Sequence, residues 1–365
     1  MEPFLLKNIL IINPFGIGDV LFTTPLVRAL KEGALPAPRI TFICNARTAP
    51  ILVHNKHVDD IIVFDRGQYR ELWRKSKWEW IHAFAAILRK VRKNGFDAVF
   101  DISLGRQYSF FLALCGVPVR AGFDYKGRGI FLTHKIPVKA FTGKPVAEYY
   151  LDLARLAGVE PGGKDIEFPI VDKDEQEVNG FLRSEGVEFG REFLCVVPGG
   201  GGSWGSDAGY KRWPVGGFSL VADELAGMYR LAPVIVGSRQ ESDICEEVRR
   251  SMTHKAIVFT ELSLGACAAL FKRAKLVVCN DGGPLHIAVS QGVKTISVFG
   301  PVDENVYGPF PPSGDHIVLK SKISCRPCYV NFRYTRCGHR SCLTAITAQE
   351  VLEAAKTLLG TPDIL

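Results

Sequence analysis

The chain has 365 residues, 47% of them hydrophobic and 23% charged, with a formal net charge of +7. That length exceeds one ordinary core and suits two domains, and the composition excludes a disordered chain. No apolar run approaches the roughly 20 residues of a membrane span, and the short opening run is broken by Lys7 and Asn8 rather than shaped like a secretory leader, so a cytoplasmic protein is expected.

In chain order, "NILIIN" predicts a strand and "DVLFTTPLVRALKEG" a helix. "RITFIC" and "DDIIVFD" predict two more strands, and a long helix spans "QYRELWRKSKWEWIHAFAAILRKVRKNG". "FDAVFDIS", "SFFLALCG" and "VPVRAGFDY" continue the alternation, with Gly33, Gly95 and Gly116 at expected helix stops. Residues 158–190 are richer in Gly, Pro and charge and predict a domain boundary near 170. The pattern then restarts with "FLCVVPGGGG", "APVIVGS", "AIVFTE", "KLVVCND" and "KTISVFG" as strands between helices, and "TAQEVLEAAKTLLG" closes the chain as a helix. Strands alternating with helices predict a mostly parallel sheet covered on both faces. The chain therefore reads as two similar α/β folds in tandem with a cleft between them.

Charge is uneven. Residues 1–170 carry 24 Lys and Arg against 16 Asp and Glu, so the basic excess lies in the first half. Residues 66–93 alone hold nine Lys and Arg against two Glu, with Trp73, Trp78 and Trp80 interleaved. A basic, Trp-bearing amphipathic helix fits an anionic membrane interface; the plainer reading is a solvated basic face with its tryptophans in the core.

Ligands of open parallel sheets bind at the C-terminal ends of strands, and four clusters follow strands or stand out by spacing. In "NPFGIGDVLFTTP" (residues 13–25), Gly16 and Gly18 suit a tight turn and Asp19 stands at the start of a helix. Asp19 is either a helix cap or a base facing a cleft. The glycines do not complete G-x-G-x-x-G. In "VVPGGGGSWGSDAGYKRWP" (residues 196–214), Gly199, Gly200 and Ser203 offer backbone N–H groups to an anion, and Lys211 and Arg212 add charge. The spacing is not that of a P-loop. In "VCNDGGPLHIAVSQG" (residues 278–292), Asp281, Gly282 and Gly283 lead into a helix opened by Pro284, with His286 in its first turn. Finally, Cys325, Cys328, Cys337 and Cys342 lie within 18 residues. Their spacing leaves three readings open: a structural zinc site, with His339 as an alternative ligand, reduced thiols, or disulfides. The other six cysteines read as small buried hydrophobes.

Taken in order, "ILIINPFGIGDVLFTTPLVRALK", "VVPGGGGSWGSDAGYKRWPVGGFSLVADEL" and "LVVCNDGGPLHIAVSQGVKTISVFGPVDENVYGPF" resemble glycosyltransferase family 9, the ADP-heptose:lipopolysaccharide heptosyltransferases. The cysteine-bearing tail resembles one seen in part of that family. The resemblance implies a GT-B architecture, two Rossmann-like domains facing across a cleft. Residues 1–170 would bind the acceptor, residues 171–345 the nucleotide sugar, and a closing helix in 346–365 would pack back on the first domain. It implies an inverting transfer of heptose from ADP-heptose to a lipopolysaccharide-core acceptor of the Kdo–lipid A type. Asp19 would be the base, Lys211 would meet the donor diphosphate, and Asp281, Gly283 and His286 would surround the donor, with Glu241 as a further donor residue. No cofactor is expected for catalysis, and the partners expected are a nucleotide-sugar donor, an anionic glycolipid and the inner face of the inner membrane. Other nucleotide-sugar donors and a nucleotide-sugar epimerase on the same fold are the alternatives. Nucleic acid is not expected: the cysteine cluster lies away from the basic half, and a nucleic-acid binder has no need of glycine turns at three strand ends.

Overall fold

Six short runs rich in Ile, Val and Phe form the first sheet: β1 (Asn8–Ile12), β2 (Arg39–Cys44), β3 (Asp60–Val63), β4 (Ala98–Asp101), β5 (Val119–Tyr125) and β6 (His134–Val138). Between them run α1 (Ile17–Gly33), α2 (Arg66–Lys75), α3 (Lys77–Asn94) and α4 (Arg106–Leu114), and α5 (Val146–Leu156) follows. The computed structural model describes residues 6–187 and 190–361 and divides into two units, Met1–Glu167 and Phe168–Leu365.

The first sheet has the order β3-β2-β1-β4-β5-β6, with parallel pairing throughout. Central strands are buried on both faces, which is why they read as continuous apolar runs. Leu10, Ile12, Ile43, Val99 and Leu112 form one cluster beneath the helices. The long helix expected across residues 68–95 is two helices. Ser76 takes an extended conformation, closes α2 with its N–H, and opens α3 by accepting Glu79 N–H at 3.2 Å. A side-chain cap available in mid-run let the chain restart there. α3 stops at Gly95, whose φ of 59° is left-handed.

The second unit repeats the design. It opens with α6 (Asp172–Ser184), then β7 (Phe193–Val197), α7 (Val215–Tyr229), β8 (Ala232–Val236), α8 (Ser242–Arg250), β9 (Ile257–Phe259), α9 (Leu264–Arg273), β10 (Leu276–Asn280), α10 (Gly283–Ser290), β11 (Thr295–Phe299), α11 (Glu304–Tyr307), β12 (His316–Lys320), α12 (Ser341–Thr344) and α13 (Ala348–Leu359). Its parallel sheet runs β12-β11-β10-β7-β8-β9, the same winding as the first. The stretch Asp172-Lys173-Asp174 opens α6, where Asp174 Oδ2 accepts Val171 N–H at 3.1 Å, a capping role.

The closing helix differs from the expectation that it returns to the first domain. Its stripe Val351, Ala354, Ala355 and Leu358 is buried in the second unit's core with Phe218, Leu225, Val278 and Ile296, and α13 packs on α7, β11 and β12. Trp213 Nε1–H donates to Ile346 O at 2.9 Å just before α13 starts, fixing its approach. An apolar stripe needs a partner, and the face of α7 supplies it locally.

Candidate functional site

In each sheet the winding reverses between two neighbouring strands, β1 and β4 in the first and β7 and β10 in the second. Such reversals leave a crevice beyond the strand C-termini. Every candidate from the glycine-bearing motifs lies just after β1, β7, β8 or β10.

After β1, Asp19 is the third residue of α1 and half-buried. Its Oδ2 accepts Gly16 N–H at 3.2 Å, so it does cap the helix. Gly16 has φ −82° and Gly18 is already helical; neither uses the left-handed backbone that the tight-turn reading supposed. What shapes the turn is a residue the sequence reading passed over. Buried Asn13 accepts Phe15 N–H at 3.1 Å and donates to Asp19 O at 3.0 Å and Thr23 Oγ1 at 2.8 Å. Asn45 donates to Phe15 O at 2.6 Å. The signal was available: a polar residue directly after a buried strand.

Asp101 ends β4, beside Ile12 of β1. It is 4% exposed, and burial pushes its carboxyl up from 3.8 to about 6, against a hydrogen bond from Ser103 N–H. The folded chain therefore holds a proton there that the unfolded chain has already lost. Stability is present below the unfolded value and is lost as pH rises through about 6. Asp101→Asn keeps an acceptor for Ser103 and is expected to add about 2 kcal/mol at pH 8 with little change at pH 4. Urea unfolding at both pH values checks this; equal stability of the two proteins at pH 8 would contradict it.

In the second unit the groups converge on the ends of β7 and β10. Asn280, 2% exposed, donates to Pro198 O at 2.9 Å and Gly199 O at 2.8 Å and accepts Trp213 N–H at 2.8 Å. It ties the glycine loop to the segment carrying Lys211. Lys211 Nζ lies 2.6 Å from Asp281 Oδ2, the two side chains 10% and 5% exposed. Glu241, in a short turn after β8, accepts Gly200 N–H at 2.6 Å, Ser238 N–H at 3.0 Å and Ser238 Oγ–H at 2.8 Å. Burial opposes its ionisation, but these donors and the Arg212 charge outweigh it and hold its carboxyl below the usual range. A Cβ on Gly199 would fall 2.4 Å from Glu241 Oε1, so only glycine fits there. Gly282 precedes α10, which starts at Gly283, and His286 in its first turn is buried. Burial and the nearby Lys211 charge push the His286 imidazole down to about 3, so it is neutral at physiological pH.

Lys211, Glu241, Asp281 and the glycines thus form one connected network. Two candidates stand apart from it. Ser203 is exposed in the first turn of the segment Gly202–Lys211. Arg212 donates to Gly200 O and Glu241, both at 3.0 Å, and shapes the loop rather than facing a ligand. Asn280 and Ser238 were missed by the sequence reading.

The cysteine cluster is corrected. All four thiols are free, Cys342 buried and Cys325 exposed, and among the described residues no group of three or more His, Cys, Asp or Glu can hold a metal ion. Cys342 belongs to the core beside Leu343 and Ile346, which takes it out of a shared ligand set. On α2 and α3, Trp78 is 74% and Trp73 47% exposed, while Trp80 is sandwiched between Trp73 and Phe84 at 4.9 and 5.0 Å. Two of the three tryptophans are therefore outside the core. No helix among the described residues is long and apolar enough to cross a membrane.

The chain is 22% identical over 364 residues to lipopolysaccharide heptosyltransferase 2 of Salmonella typhimurium, covering 97% of this chain and 99% of that one. It is 23% identical over 218 residues to lipooligosaccharide heptosyltransferase 2 of Campylobacter jejuni, a match spanning 59% of this chain and 63% of the relative. Its fold matches the structure of ADP-heptose LPS heptosyltransferase II from E. coli, with a TM-score of 0.73 at 20% identity over 97% and 98% of the two chains. The two parallel six-stranded sheets are thus those of GT-B heptosyltransferases. Glycosyltransferase family 9 (heptosyltransferase) matches residues 84–336, from α3 through the last strand, and the chain belongs to that family.

Proposed function

We propose that this protein transfers a heptose from ADP-heptose to an anionic lipopolysaccharide-core acceptor, with inversion at the anomeric carbon. The donor and acceptor classes are those in the names of the relatives. The observation that carries the reading is the buried Lys211–Asp281 pair beside the glycine loop after β7. A cation held in a low-dielectric site among backbone N–H groups is what a departing diphosphate needs.

In this reading Asp19 takes the proton of the acceptor hydroxyl as its oxygen bonds to the anomeric carbon. The bond from that carbon to the diphosphate breaks in the same displacement, and the electron pair leaves with ADP. Lys211 and the N–H groups that open α10 at Gly283 stabilise the charge that collects there. Asp281 orients Lys211, ionised Glu241 holds the loop through Gly200, and neutral His286 serves as a hydrogen-bonding group rather than a proton donor. The chemistry calls on no metal ion. The test is ADP release from ADP-heptose by purified protein, with and without heptose-deficient lipopolysaccharide, each with and without EDTA. Release that needs the acceptor and ignores EDTA supports the reading; no release from folded protein defeats this donor–acceptor pair.

The exposed Trp73 and Trp78 and the cations of α2 and α3 suit the anionic surface in which such an acceptor is embedded. Trp78→Ser together with Trp73→Ser is expected to cut sedimentation with phosphatidylglycerol vesicles about tenfold or more, since each indole contributes roughly 1–2 kcal/mol of interfacial burial. Unchanged sedimentation would remove this face as the membrane contact.

A further inference from the structure

The segment Gly202–Lys211, between β7 and α7, is a 3-10 stretch kinked at Gly205. Held only by its ends, so glycine-rich a run would be mobile. Here it is gripped by the cysteine-bearing segment of residues 325–340. Trp204 stacks on Tyr334 with ring centroids 4.3 Å apart and on Tyr329 at 5.0 Å, and Tyr210 packs on Tyr334 at 5.6 Å. Arg336 pairs with Asp207 at 2.7 Å, and Arg340 donates to Gly209 O at 3.1 Å.

The gripping segment is itself anchored to the end of β11. The N–H groups of Cys328 and Tyr329 both donate to Pro301 O, at 3.0 and 2.9 Å. Arg326 donates to Gly300 O at 3.0 Å, Val302 O at 3.1 Å and Glu304 Oε2 at 2.8 Å. The chain of contacts therefore runs from the sheet, through the cysteine-bearing segment, to Trp204. It ends on Lys211, whose Nζ lies 5.3 Å from the centroid of the Trp204 ring.

We propose that Trp204, clamped by Tyr329 and Tyr334, is a positioning residue for Lys211 and presets its ammonium for the donor diphosphate. A lysine ammonium is a mobile point charge on a four-carbon stem. Two contacts restrict it here: Asp281, which an arriving diphosphate competes with, and the electron-rich face of Trp204, which it does not. When the diphosphate draws on the Lys211 charge, the indole still fixes where that charge is. This gives the segment of residues 325–340 a task that needs no metal: it is the buttress of the donor loop. The inference rests on the donor reading of this site.

The test measures ADP affinity by calorimetry, and steady-state kinetics in ADP-heptose, for the wild type and for Trp204→Leu, Trp204→Phe and Arg336→Gln. Trp204→Leu is expected to weaken ADP binding about five- to tenfold and raise the donor KM by a similar factor, with kcat within about twofold. Trp204→Phe should recover most of the loss. Arg336→Gln, which loosens the clamp without touching the indole, should shift KM in the same direction by a smaller factor. Wild-type ADP affinity in Trp204→Leu overturns the proposal, as does a loss confined to kcat or one that Trp204→Phe does not relieve. A wild type that binds no ADP overturns the donor reading along with it.

Discussion

Asp19→Asn is expected to lower the rate of transfer by about a hundred- to ten-thousandfold, the usual worth of a positioned general base, while leaving the fold intact. The reason lies in the two tasks that meet at this carboxylate. One oxygen accepts Gly16 N–H at the start of α1, and an amide oxygen can do the same. Removing a proton from an acceptor hydroxyl requires the carboxylate itself. Asp19→Ala loses both and should also cost about 1 kcal/mol of stability. Rates for the two variants, beside their urea midpoints, separate the roles. If Asp19→Asn stays fully active and only Asp19→Ala is destabilised, Asp19 is a helix cap and the base lies elsewhere.

Lys211→Ala carries the second large effect, and it falls on stability as well as on binding. The substitution leaves the Asp281 carboxylate, 5% exposed, without its counter-ion. Stranding a buried charge costs about 3–5 kcal/mol. Lys211→Ala combined with Asp281→Asn removes the stranded charge, and its stability should return to within about 1–2 kcal/mol of wild type. Diphosphate affinity should not return, because the cation is still missing. Chemical denaturation and ADP titration of the single and double variants read the two quantities separately. Recovery of ADP binding in the double variant would show that Lys211 is structural and does not meet the diphosphate.

Not every element was legible in the sequence. The strands missed were β6 and β12, "HKIPV" and "HIVLK", the edges of the two sheets. Edge strands are half-exposed, lack the continuous apolar run of the central strands, and in β6 tolerate Pro137 because one side needs no ladder partner. The split at Ser76 was missed because amphipathic periodicity runs on through a single capping residue. The zinc reading failed for a different reason. Cys-x2-Cys spacing fixes two thiols near each other, but whether the other two join them depends on where the chain carries them, and Cys342 went into the core.

The sequence by itself determined the alternation of strand and helix, the placing of the glycine turns after strands, and the identities of Asp19, Lys211, Glu241 and Asp281. Those follow from local rules: apolar runs, backbone freedom and charge at helix starts. Tertiary structure alone decided that Lys211 pairs with Asp281, 70 residues on, and that Glu241 closes on Gly200. It also seated α13 in the second core and clamped Trp204 with tyrosines more than a hundred residues away. Each is a contact between segments made neighbours by the winding of the sheet. Burial then decides which charges must pair, because an unpaired charge in a dry site costs more than the fold can spare.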